Sequence, residues 1–338
     1  MRAMVLSASE RLEIRDIAKP VCGVNDALLK IKSVGICGTD VGIYAGRYEF
    51  NPNVILGHEF YAEVLEAGAE VTKVAVGDTV VSEASWGCGR CPACMQAKPS
   101  YCANPHMLGR TENGAMAEYI VVPAVILHKI KNDIGSLEAQ AAVSVASALR
   151  ALQRLGDVFQ KNVIVIGPGF NGLVLSQILQ LAGVRSWGMV GTPRSKDRLV
   201  IAERMGASFT AMTTAGYQEN IRKEYPHGFD ICVEASGSEE ALKLAFELVS
   251  SGGSILQFGL AHKPFDGLRQ YDFYRKELCM LGTKGGYGCY PQAVSLLEKG
   301  VVDIASLVSH TYQLEEMPKA FQSILARKEN VIRGVLLF

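Results

Sequence analysis

The sequence predicts an α/β protein in two parts, a β-rich domain and a doubly wound parallel-sheet domain. Three observations carry that expectation. The chain has 338 residues, beyond the size at which a single hydrophobic core usually stops growing. Its texture changes near residue 148. The first strand after the change then runs into a glycine-rich turn, "VIVIGPGFNG". With 49% hydrophobic and 20% charged residues, the chain can fill two cores.

Up to about residue 148 the sequence is a series of short β-like runs, "ALLKIKSVG", "FYAEVLEAGAEV", "DTVVSE" and "AEYIVVPA", divided by Gly, Pro and Asp. From "NVIVIG" onward, apolar strands at 163–167, 187–191, 207–210, 229–234, 254–259 and 278–283 alternate with amphipathic stretches such as "KDRLVIAERMG" and "SEEALKLAFELVSSGG". That alternation is the pattern of a parallel sheet with crossover helices. The closing "EEMPKAFQSILARKENVIRGVLLF" has a helical period followed by a short apolar strand. Such a tail can return to the first domain. The expected division is therefore 1–148 with 293–338 as one domain and 149–292 as the other.

The glycine-rich turn places Gly167, Gly169 and Gly172 in GxGxxG spacing, with Phe170 and Asn171 between them, at the start of the helix "LVLSQILQLAG". The first glycine permits the tight turn, the second lets backbone approach a pyrophosphate, and the third lets helix and strand pack closely. The phosphates then meet the positive end of the helix. The next strand ends in Thr192, Pro193, Arg194, Ser195 and Lys196, where an NAD-binding unit would place a carboxylate on the ribose hydroxyls. No carboxylate stands among those five residues, and Arg194 can fork onto a 2′-phosphate. The expectation leans to NADP over NAD, with solvated cations at a helix start as the alternative.

Charge excludes one class of partner. Lys plus Arg and Asp plus Glu both number 34, so the net charge is zero and nothing favours a nucleic acid. No apolar stretch reaches the ~18 residues that cross a bilayer. The opening "MRAMVLSASERLEIRD" is charged at positions 2, 10, 11, 13, 15 and 16, unlike a secretory signal. The expected compartment is the cytoplasm, where nine cysteines serve as thiols or metal ligands rather than disulfides.

Four of those cysteines, Cys88, Cys91, Cys94 and Cys102, fall within 15 residues at intervals of 3, 3 and 8, in a lobe spanning about 86–104. Close CxxC spacing lets thiolates converge on one tetrahedral Zn²⁺, and four thiolates leave no open position for substrate. That site is structural. A second group, "GICGTDVGIYAG" and "GHEF", supplies Cys37, Thr39, Asp40, His58 and Glu59. A thiolate with an imidazole suits Zn²⁺, and a catalytic zinc keeps one corner open. Taken alone, these residues also fit a core thiol and a satisfied core histidine.

"GICGTD", "GHEF", the four-cysteine lobe, "GAMAEYI", "GPGFNG" and "VIRGVLLF" stand in the order and spacing of the zinc-dependent medium-chain alcohol and polyol dehydrogenases. Over essentially the whole chain the sequence resembles that family, nearest its sorbitol, threonine and sugar-alcohol branch. The resemblance implies a GroES-like β-rich catalytic domain plus a Rossmann domain. It implies Cys37 and His58 as catalytic zinc ligands, with Glu59 a ligand or an outer neighbour. It also implies Thr39 as the hydroxyl that passes the substrate proton, Asp40 as the carboxylate orienting His58, and Arg333 on the cofactor pyrophosphate.

Two positions depart from the family. Val143, beside Ser144 in "QAAVSVASALRAL", stands where relatives present a third ligand, so Glu59 can take that role. Gly42 stands where many relatives carry a histidine that relays protons to solvent. The expected activity is reversible hydride transfer between a nicotinamide and a secondary alcohol of polyol, cyclitol or amino-sugar type, in a homodimer or homotetramer. A non-catalytic NADP(H)-binding module and a zinc-free reductase of the same fold are the alternatives.

Overall fold

The longest strand of the amino-terminal region, Asp26–Ile36, is buried along most of its length because strands flank it on both sides. The computed structural model describes residues 1–132, 134–261, 264–265 and 270–338. These divide into two compact units, one of residues 1–146 with 285–338 and one of residues 147–284.

In the first unit Asp26–Ile36 pairs antiparallel with Phe60–Ala67, Tyr119–Pro123 and Gly334–Leu337. Thr79–Ser82 and Leu127–Ile130 extend the sheet on one side, and His310–Tyr312 extends it beyond Gly334–Leu337. The carboxy-terminal tail thus returns to this unit, which sets Arg333 one residue before a strand whose first pair is Gly334 with Ile36. A smaller sheet joins Arg11–Asp16, Arg2–Ala8 and Val54–Ile55. Met4, Leu6, Leu29, Ile31, Leu56, Phe60 and Met116 form the core between these strands. Tyr44 belongs to it as well. Its ring meets Phe321 edge-on at 5.3 Å, and its hydroxyl donates to the Glu10 carbonyl at 3.3 Å. Residues 285–292 group with this unit, where Tyr290 stacks on His128 at 5.2 Å and its hydroxyl accepts from the Ala84 N–H at 3.2 Å.

Among the described residues the second unit holds six parallel strands: β1 (Asn162–Ile166), β2 (Ser186–Gly191), β3 (Phe209–Met212), β4 (Phe229–Glu234), β5 (Val249–Gln257) and β6 (Cys279–Gly282). Their order across the sheet is β3-β2-β1-β4-β5-β6, the doubly wound arrangement with its switch point between β1 and β4. The fifth strand begins five residues earlier than the sequence suggests. Val249 already pairs with Phe229, and a register shift then absorbs the Ser-Gly-Gly run. The helix Glu239–Leu248 starts cleanly because Ser238 accepts the Ala241 N–H at 3.2 Å and Glu239 and Glu240 face its positive end. Among the described residues no helix is long and apolar enough to cross a membrane.

Candidate functional site

Cys37 follows the central strand and caps the helix Gly38–Tyr44, and its backbone N–H donates to Asp40 Oδ2 at 2.9 Å. The other oxygen of Asp40 accepts the Gly57 N–H at 3.3 Å and lies 3.0 Å from His58 Nδ1. Asp40 is fully buried, and its carboxylate only accepts, so the proton between the two sits on Nδ1. That leaves Nε2 as the ring nitrogen that a metal would take in exchange for a proton. Residue 57 must be glycine here: its φ is +95°, and a Cβ would meet Met116 Cγ at 2.9 Å. Burial opposes a charged His58, but Asp40 and then Cys37 outweigh it and hold the ring's pKa well above the usual histidine range.

One donor atom from each of Cys37, His58 and Glu59 lies within 4.8 Å of the others. A thiolate, an imidazole and a carboxylate at that spacing are the donor set of a zinc with an open corner. Glu59 is buried, and its two oxygens have different surroundings. Oε1 lies 3.7 Å from His58 Nε2. Oε2 accepts the Ser144 hydroxyl at 3.1 Å and an Nη2–H of Arg333. Arg333 also donates through Nε to Gln140 Oε1 at 3.1 Å and through Nη1 to the Ile36 carbonyl at 3.1 Å. Gly35 makes room for this clamp, because a Cβ there would lie 1.9 Å from Arg333 Nη2 and 2.0 Å from Gln140 Oε1. Val143 is buried and brings no donor atom to this group.

Thr39 is half-buried on the first turn after Cys37. Gly42, one turn further, is covered by Tyr48: a Cβ at 42 would lie 2.6 Å from Tyr48 Cε2. Burial pushes the Tyr48 phenol up and Cys37 adds to that, while Arg110 and Arg47 act against it. The volume that a histidine at position 42 would occupy is filled by this ring.

The four lobe cysteines also converge, with their sulfurs within 4.8 Å of one another. Cys91 Sγ is 3.5 Å from Cys94 Sγ and 3.7 Å from Cys102 Sγ. The N–H groups of Cys94 and Ala103 pull Cys91 down to about 6, whereas burial and the adjacent thiols push Cys94 up to about 12. Four thiolates coexist at such separations only around a cation.

In the second unit Gly167 has φ +119°, and a Cβ there would meet Ser236 N at 2.9 Å, while one on Gly172 would meet the Gly167 carbonyl at 2.3 Å. Gly169, which caps the helix Phe170–Leu181, has nothing within 4 Å of a Cβ. That is the open approach a pyrophosphate needs. Phe170 is buried in the helix's first turn and Asn171 is exposed. Thr192, Arg194 and Lys196 are exposed at the end of β2, with Ser195 Oγ 3.4 Å from Thr192 Oγ1. Asp197, in the first turn of the helix that follows, is the nearest carboxylate along the chain.

The structure thus brings together Cys37, Asp40, His58 and Glu59, the four lobe cysteines, and the glycine loop. Arg333 is buried in the first unit against Glu59. Ser144 reaches Glu59 directly, Gln140 reaches it through Arg333, and Tyr48 covers Gly42, without any sequence motif to mark them. In the second unit the buried Glu234 carboxylate accepts from the backbone N–H groups of Ser236 and Gly237 and from Gln257, fixing the loop after β4.

Residues 23–132 match the model of the alcohol dehydrogenase GroES-like domain, and residues 172–299 match that of the zinc-binding dehydrogenases. The chain is similar to the L-threonine 3-dehydrogenase of Saccharopolyspora erythraea, at 32% identity over 96% of both chains. It is 29% identical to the D-arabitol-phosphate dehydrogenase of Enterococcus avium, over 95% of this chain and 92% of that protein. A protein of Sinorhizobium meliloti, assigned as a zinc-binding dehydrogenase and solved with NADP, superposes with a TM-score of 0.94 at 26% identity, covering 100% and 99% of the two chains.

Proposed function

Because the chain belongs to the zinc-dependent medium-chain alcohol and polyol dehydrogenases, we propose that Cys37, His58 and Glu59 hold its catalytic zinc and that its substrate is a polyol, cyclitol or amino-sugar alcohol. The chain is an NAD(P)-dependent oxidoreductase that interconverts an alcohol and its carbonyl form. The observation that carries the site assignment is the convergence of three donor atoms within 4.8 Å, although position 143 offers none.

When bound, the zinc supplies a Lewis acid for the substrate oxygen and the nicotinamide carries the hydride. The chain's own residues do the rest. Asp40 fixes the tautomer and the plane of His58. Arg333, Ser144 and Gln140 hold Glu59 so that Oε2 is committed and Oε1 faces the other donors. Thr39 takes the substrate proton on the turn after Cys37. Cys88, Cys91, Cys94 and Cys102 hold a second zinc that braces their loop.

For the cofactor, Gly167, Gly169, Phe170, Asn171 and Gly172 receive the pyrophosphate, and Thr192, Arg194, Ser195 and Lys196 receive the adenosine ribose. Arg194 and the absence of a carboxylate at the end of β2 favour NADP. The exposed backbone of β6, at the sheet edge, supports a homodimer or homotetramer built by pairing this strand with its copy. The cytoplasm remains the compartment that suits four free thiols at a metal lobe.

The test is reduced-nicotinamide formation from a panel of polyols and cyclitols with NADP and NAD at equal concentration. Turnover that is lost in Cys37→Ser supports the reading. Turnover that survives Cys37→Ser, or no turnover with fully zinc-loaded protein, contradicts it. A strong preference for NAD that Arg194→Ala leaves unchanged would remove the assignment of NADP.

A further inference from the structure

We propose that the wall beside Cys37 formed by Tyr48, Arg47 and Arg110 recognises an anionic group, so that the alcohol this chain oxidises carries a terminal phosphate or carboxylate. The inference rests on the dehydrogenase reading above and deepens it.

The wall is built by two loops locked together. Tyr48 lies over Gly42, on the helix that Cys37 caps. The backbone N–H of Arg47 donates to the Gly42 carbonyl at 2.9 Å, which fixes where the loop leaves that helix. The guanidinium carbon of Arg110 stands 5.4 Å from the centre of the Tyr48 ring. Arg110 Nε donates to the Glu49 carbonyl at 2.7 Å, the Asn51 N–H donates to the Arg110 carbonyl at 2.9 Å, and Asn51 Nδ2 donates to the Thr111 carbonyl at 2.6 Å.

Charge is what this wall leaves unmatched. Among the described residues neither Arg47 nor Arg110 forms an ion pair. Glu112, two residues from Arg110, is taken by His106 Nδ1 at 2.8 Å. Glu49 offers Arg110 its backbone carbonyl. The Arg110 guanidinium stands over the phenol ring, and the charges of Arg47 and Cys37 both act on that phenol; a guanidinium fork matches the planar geometry of a carboxylate or the oxygens of a phosphate. A neutral polyol gives these cations no partner. An alcohol with a charged end would be held by that end while its hydroxyl faces Cys37 and Thr39.

The experiment compares kcat/KM for four- to six-carbon polyols, each offered as the free polyol, as its terminal phosphate ester and as its aldonate, using zinc-loaded protein. At least one anionic form should exceed its parent polyol by about a hundredfold, the equivalent of two charge-assisted contacts worth about tenfold each. Arg47→Gln and Arg110→Gln should each cut that preference about tenfold through KM, and the double variant should abolish it. Among the described residues the Arg47 side chain makes no hydrogen bond that positions a loop, so its variant reads charge even if Arg110→Gln loosens the 47–53 segment. Whether phosphate ester or aldonate is preferred identifies the anion. Oxidation of free polyols with no preference for either anionic form, or a preference that survives the double variant, overturns the inference and leaves the dehydrogenase reading standing. If no polyol of any form reduces the cofactor, that reading fails. Calorimetric titration with the polyol phosphates then decides: binding lost in the double variant supports the wall, and no binding to the wild type overturns it.

Discussion

Replacing Arg333 by methionine removes, among the described residues, the one arginine paired with a buried carboxylate, that of Glu59. Arg333 and Glu59 side chains are each 2% exposed, and the guanidinium also serves Gln140 and the Ile36 carbonyl. Taking away one partner of a buried ion pair costs about 3–5 kcal/mol, because the remaining charge is left without compensation. Among the described residues the Ser144 hydroxyl would be the neutral donor still on Glu59 Oε2. The loss should be smaller when the zinc site is loaded, since the metal then compensates Glu59. It should also shrink in the Glu59→Gln background, with a coupling of about 1–3 kcal/mol between the two substitutions. The assay is urea unfolding with and without chelator in a Trp187→Phe background, which leaves Trp86 to report on the first unit alone. A cost under about 1 kcal/mol, or an equal cost with Glu59 and with Gln at position 59, would refute the clamp. Arg333 would then keep only the pyrophosphate role that the resemblance implies.

The glycine loop separates folding from binding. Gly169→Ala should keep the melting temperature within about 2 °C while raising the cofactor Kd about tenfold or more, because its Cβ meets no protein atom. Gly167→Ala should lose both, since its φ of +119° and the 2.9 Å approach to Ser236 leave no room; calorimetry and thermal melts check the pair. Gly42→His should destabilise by about 1–3 kcal/mol through its clash with the Tyr48 ring, and Tyr48→Ala in the same chain should relieve it, as read by denaturant midpoints. Cys94→Ser should remove one zinc per chain and raise proteolysis of the lobe, measured by elemental analysis and limited digestion. Lys129 holds Asp78, and the Arg2 N–H holds Glu118, below the usual carboxylate range. Their contribution is therefore present above about pH 4 and lost as pH falls through the depressed folded values. The melting temperature should be flat from neutral pH down to about 5 and fall below about 4, with a shallower fall in Asp78→Asn.

Much of this architecture was legible because each motif solves a local problem. The run "VIVIGPGFNG" is an apolar strand whose glycines answer two specific clashes, with Ser236 and with the Gly167 carbonyl. The cysteine spacing closes on itself. "GHE" opens on Gly57, whose positive φ turns the chain back toward Asp40. The clamp on Glu59 was not legible, because Gln140, Ser144 and Arg333 come from distant parts of the sequence and meet only when the tail strand pairs with Asp26–Ile36. Tyr48 is hidden in the sequence for a similar reason. Nothing in "GRYEF" announces that its ring covers Gly42. Tyr44, the more conspicuous neighbour in sequence, proves to be core, with its hydroxyl spent on Glu10. The start of β5 differs from the sequence expectation because a Ser-Gly-Gly run reads as a loop, while a register shift lets the strand pass through it.

The central claim is that Cys37, His58 and Glu59 hold a metal distinct from that of the cysteine lobe. The most direct measurement is zinc per chain in purified wild type and in Cys37→Ser, by elemental analysis after loosely bound metal is removed. Two ions falling to one is the predicted result. One ion in both proteins would mean that only the lobe is filled, and would contradict the account.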